Sequence, residues 1–157
     1  MRQFPDWQYI AAMLGVLALS AGTAWAHHGV TGRYDTGTPI VIAGTITRAT
    51  FAPPHPVLSV RVDATEVPAL DVDRPDIITG PLVMRPEDAG QVREIEFSPV
   101  RMFHELGSEL RAGDRVVLIA LRNCLAPHQL RSSWIRLPSG RIVSYTGDWA
   151  GRTHGCR

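Results

Sequence analysis

The chain has 157 residues, with 16 basic and 15 acidic side chains and six histidines, for a formal charge of +1. Every basic residue is arginine, which points to base composition of the gene rather than to a binding role. This balance offers no charged field to steer nucleic acid or an anionic membrane, and the length suits one domain around a single core.

Residues 10–19, IAAMLGVLAL, form an uncharged run behind Arg2, and Ser20–Thr23 lead into Ala24-Trp25-Ala26. A basic start, a short apolar core and an A-x-A triplet are the parts of a secretory signal peptide, here residues 1–26. Spanning a bilayer takes roughly 20 apolar residues, so no stable membrane insertion is expected once the segment is cleaved. The expectation is a periplasmic or secreted protein whose mature chain, 27–157, opens on His27-His28.

A polar arm to Thr38 precedes PIVIAGTITRATF (39–51), where Ile40, Ile42 and Ile46 share one face of a strand and Gly44 marks a bend or bulge. FAPPHP is a proline-stiffened turn, and PVLSVRVD (56–63) alternates Leu58, Val60 and Val62 inward. Residues 64–91 carry Pro68, Pro75, Pro81 and Pro86 and read as a long loop, with room for a short hairpin. The DVDRPD run inside it lacks the glycine and glutamate of a calcium loop and reads as solvated. REIEFS (93–98) is a strand with Ile95 and Phe97 inward and Glu94 and Glu96 on a solvated outer face. Ser98-Pro99 then predicts a helix cap and first turn, Val100, Phe103 and Leu106 a buried stripe, and Gly107 the stop. LRAGD (110–114) turns into RVVLIALR, a strand apolar on both faces. LRSSWIRL and RIVSY follow as strands about Pro138-Ser139-Gly140, and residues 147–157 form a tail.

Three strands, one helix and two or three strands predict a mainly β fold. It is a small five- to six-stranded OB-like barrel with a short helix between strands three and four. A β-sandwich, which needs about seven strands and no helix, ranks second.

His27-His28, Gly44-Thr45-Ile46, Pro54-His55, LRAGD and Trp134–Arg141 occur here in one order. In this the chain resembles an uncharacterised family of small exported bacterial proteins, which have a paired histidine after the signal peptide, an Asn-Pro-His turn and a Leu-x-x-Gly-Asp turn. The resemblance covers 27–63 and 92–145. Two departures stand out: Pro53 replaces the asparagine, and the 64–91 loop is long. The resemblance implies compartment and fold, and no activity.

A His27 freed by cleavage offers its α-amine and imidazole as a chelate, with His28 adjacent, a donor set suited to copper, nickel or zinc. The alternative is a polar arm without a metal. His55 could join, although it lies at the far end of the first strand, about ten residues or roughly 33 Å from that strand's start, so the arm would have to run back along the barrel. As a turn histidine it would have no such role. Cys124 and Cys156 in an exported chain predict a disulfide. A zinc or copper site with His128 and His154 is the alternative, against the usual ligand spacings. No G-x-S-x-G, H-E-x-x-H or phosphate-binding loop occurs, so no enzyme is expected. The reading is a non-catalytic binding or accessory protein whose partner is an exported protein or a small ligand. The alternative is a metal-binding protein using His27, His28 and His55.

The N-terminal chelate has a direct check. A chain beginning at His27 should bind one Cu(II) more tightly than one with Met ahead of His27, because the extension replaces an amine donor by an amide that must lose a proton. Affinity should fall as pH drops through about 7.7 and 6.5, where protons compete for the amine and imidazole lone pairs. Equal affinity of the two forms, measured by competition titration, would leave only the polar arm.

Overall fold

The computed structural model describes residues 32–72, 74–147 and 151–156. The expected signal peptide, its expected cleavage point, His27 and His28 lie outside them. In chain order come β1 (Tyr34–Asp35), β2 (Ile40–Thr50), β3 (Val57–Val62), β4 (Val92–Phe97) and α1 (Arg101–His104). A 3-10 turn (Glu105–Ser108), β5 (Arg115–Arg122), β6 (Leu130–Arg136), β7 (Ile142–Ser144) and β8 (Arg152–Thr153) follow.

The sheet runs β4-β3-β2-β5-β6-β7, and a parallel pairing of β4 with β6 closes five of these strands into a barrel. Closure through the third and fifth barrel strands, with a helix between the third and fourth, is OB-type architecture, and β7 is an added strand. Alternation along each strand supplies the interior. Ile42, Ile46, Leu58, Val60, Ile95, Phe97, Leu118 and Ile135 are buried in one cluster, and Phe103 of α1 plugs it with its ring 4.8 Å from that of Phe97.

Three local expectations change. Gly44 does not bend β2. The extra residue in the β2–β3 register is Thr47, between Ile46 and Arg48. Gly44 is instead a close approach, since a Cβ there would meet the Arg61 carbonyl oxygen at 1.9 Å. Ser98 does not cap the helix. Val100 is the N-cap residue, and Ser98 Oγ is buried without a hydrogen-bond partner among the described residues. Gly107 is not a left-handed stop but part of the 3-10 turn, where a Cβ would crowd the Phe51 ring at 3.1 Å.

Among the described residues of 64–91 there is no hairpin. They make one parallel bridge, Val83 to Ile40, and a 3-10 turn at Pro86–Asp88. The loop's task follows from β5, whose two faces are both apolar. Val41 and Ala43 of β2, Ile119 and Leu121 of β5 and Trp134 of β6 alternate with the barrel's interior residues and so point outward, yet all are buried. The loop crosses this outer face and buries its own Ile77. Val41 N–H donates to the Val83 carbonyl at 2.8 Å, and Val83 N–H to that of Pro39 at 3.0 Å.

Arg74 fastens the loop. It is 6 % exposed, and its guanidinium grips both oxygens of Asp76 at 2.7 Å while donating to Ser144 of β7 and, at 3.4 Å, to Ser133 of β6. Arg152 of β8 adds a second cation, 3.1 Å from the same carboxylate. The Arg74 hydrogen bonds hold the Asp76 carboxyl below the usual carboxylate range, against burial, which pushes it up.

Arg74 and Asp76 of the DVDRPD run are therefore a clasp, while Asp71 stays exposed as a solvated loop residue would. Because the Asp76 folded-state pKa is lowered, its stabilisation is complete above the unfolded value near 3.9 and is lost as pH falls through the folded value. Replacing Asp76 by Asn should cost about 1–3 kcal/mol in denaturant unfolding at pH 7, and the deficit should shrink below about pH 4. Phe103→Ala, which empties the plug, should cost about 3–5 kcal/mol at either pH.

Candidate functional site

The 51–56 turn and the 123–129 loop flank the outer face of β4 where it meets β6. Register places Glu96 beside Arg131 across the parallel pair and beside Val57 of β3, just after the Pro-His turn. His55, Glu96, Gln129 and Arg131 meet there, four polar side chains far apart in sequence. Glu96 is 17 % exposed, not solvated. It accepts from Gln129 Nε2 and lies 3.7 Å from Arg131 Nη1. His55 Nδ1 stands 3.2 Å from Glu96 Oε1, within ion-pair reach but off hydrogen-bond geometry. A ring orientation with Nδ1–H donating to the carboxylate would leave Nε2 as the unprotonated nitrogen. Glu94, two residues earlier, does keep the expected solvated setting, paired with Arg48 at 3.1 Å on the surface.

Tyr34 covers this cluster. It is 1 % exposed, and its hydroxyl donates to Gln129 Oε1 at 3.4 Å. Burial raises its pKa, Arg131 opposes the rise and Glu96 adds to it. The phenol therefore stays protonated at neutral pH and acts as a donor.

The backbone explains how an arm residue arrives here. β1 pairs in parallel with β8, and Cys124 N–H donates to the Arg33 carbonyl at 2.7 Å. Cys124 and Cys156 form a disulfide with Cα atoms 5.1 Å apart, joining the β5–β6 loop to the tail as expected. The cysteines are thus not metal ligands with His128 and His154. His128, at φ 62°, sets its Nδ1 3.1 Å from the Asn123 carbonyl, and His154 sets its Nδ1 2.9 Å from Thr79 Oγ1. Among the described residues no group of three His, Cys, Asp or Glu side chains is placed to hold a metal. His55 has one acidic neighbour, Glu96.

Tyr34, in the described part of the arm, reaches Glu96's partner Gln129, while His27 and His28 lie outside the described residues. Arg131, Gln129 and Tyr34 escaped the sequence reading because LRSSWIRL marks Arg131 only as an outward residue. Its 3 % exposure comes from what covers it.

Fold and face together define an OB-type barrel with a polar cluster under its N-terminal arm. Residues 15–78 match the model of a family of unknown function, DUF6152. That stretch contains His27, His28, Tyr34 and His55, and excludes Glu96 and Arg131. No curated protein and no solved structure matches the chain.

The disulfide ties the tail across 32 residues, and in the chain-entropy model a loop of that size contributes about 3–4 kcal/mol. Reduction should lower the unfolding free energy by that amount. It should also release Tyr34, seen as a fall of its pKa toward 10 in ultraviolet titration.

Proposed function

We propose that this chain is an exported, non-catalytic binding protein, periplasmic or secreted, which takes its ligand on the β3–β4 side of the barrel between residues 51–56 and 123–129. The observation that supports this reading is the His55–Glu96–Arg131 cluster at the position where OB barrels hold their ligands. A binding role without chemistry of its own is supported by how Glu96 is used, since Gln129 and Arg131 hold its carboxylate in place. The chain's +1 charge supports a small ligand or an exported protein partner and speaks against nucleic acid. Among the described residues no helix is long and apolar enough to cross a membrane.

A transition metal, copper first, is the second reading. A carboxylate hydrogen-bonded to an imidazole fixes the tautomer that offers Nε2 to a metal, and Glu96 lies 3.2 Å from His55 Nδ1, within reach of that role.

Native mass spectrometry of protein taken from the export compartment tests the first reading. Wild type should carry a non-covalent species that Glu96→Gln loses, and wild type free of any such species contradicts it. For the second reading, His55→Ala should weaken Cu(II) binding about 10–100-fold if His55 is a ligand, and Glu96→Gln should do so by a similar factor through the tautomer. Unchanged copper affinity in both variants removes His55 from the site.

A further inference from the structure

On the opposite outer face, the cover over β2, β5 and β6 stops short. Val41, Ile119 and Trp134 are buried beneath it, but the next outward row, Ala43–Val117–Arg136, opens into a cleft of about 330 Å³. That is within the size range of small-molecule sites, roughly 300–1,000 Å³. Ala43 and Val117 form its floor, Pro68 stands at the loop side, and Leu137 and Pro138 of the β6–β7 turn stand opposite.

Two arginines edge this apolar space and differ in one respect. Both terminal nitrogens of Arg115 are engaged with the two oxygens of Asp63 at 2.8 Å, so its charge is met. Arg136 donates Nη1 to the Ala69 carbonyl at 3.1 Å and has no carboxylate within 4.0 Å among the described residues. A half-buried guanidinium with most of its donors and its whole charge unmatched, at the rim of an apolar cleft, favours a planar anion with a hydrocarbon body.

We propose that this cleft binds a small aliphatic monocarboxylate, its carboxylate on the Arg136 fork and its chain over Ala43 and Val117. The site is separate from the His55 face and does not depend on the reading of that face.

Chemical-shift titration of the full exported chain tests it, with isovalerate, its neutral analogue isovaleramide, and inorganic phosphate as probes. Isovalerate should move the amides of Gly44, Val117 and Leu137. Isovaleramide should bind at least about tenfold more weakly for want of the charge-assisted bond, and phosphate should bind weakly for want of the apolar contact. Arg136→Gln should lose isovalerate by a similar factor. Val117→Phe should fill the floor and abolish binding, and Arg48→Gln, on the far side of the barrel, should retain it. Amide or phosphate binding as tight as isovalerate, or full affinity in Arg136→Gln, overturns the proposal. Should a variant fail to fold, the three probes on wild type still decide it.

Discussion

β5 lies between β2 and β6 and is apolar on both faces, and the rest of the molecule is arranged around that fact. Its even-numbered residues Val116, Leu118 and Ala120 fill the barrel. Ile119 and Leu121 point the other way, toward what would otherwise be water. Leaving two such side chains exposed would forgo roughly 1.5–3 kcal/mol each, so a second layer is worth building. The 64–91 loop supplies it with Ile77, and the arm supplies Tyr34. A barrel of this size has only one interior, and this one gains a second apolar layer by wrapping its own connections around the outside.

That wrapping sets the chain a problem, because irregular backbone has little of its own to hold it down. Each covering segment is therefore fastened by a polar device. Arg74 and Asp76 clamp the loop to Ser133 and Ser144, and Arg152 ties the tail to the same carboxylate. Asp88, 2 % exposed between Arg85 and Arg93, holds the loop's end to β4. The disulfide, the β1–β8 pairing and the Thr36–Thr79–His154 hydroxyl and imidazole chain join arm, loop and tail to one another. Buried charges are costly unless paired, and Arg74, Asp76 and Asp88 each meet a counter-charge at the point where a segment must be held.

The two polar features left over from this fastening differ in kind. The His55–Glu96–Arg131 cluster is enclosed, its members compensating one another beneath the Tyr34 phenol. Arg136 is open, its charge unmatched at the edge of an apolar cleft. The first is organised to orient a ring and the second to receive an anion, and they occupy opposite outer faces of the barrel.

Strand alternation at Leu58–Val62, the run RVVLIALR and the helix between the third and fourth barrel strands were legible in the sequence, because period-two patterning records which face of a strand is buried. That was enough for the OB-type order, and two cysteines in a chain with a signal-like start were enough for the bridge. The pairing of Glu96 with Arg131 was not legible. It exists only because β4 and β6 run parallel in a register that closes the barrel, and no local pattern encodes a contact across 35 residues of chain. The same holds for Arg74 and Asp76 of DVDRPD, which read as solvated until Ser133 and Ser144 come up beneath Arg74. Local sequence determined which residues could be strands and which way they would face. Tertiary structure decided which outward residues would be covered, because burial of a polar side chain depends on what a distant segment brings to it.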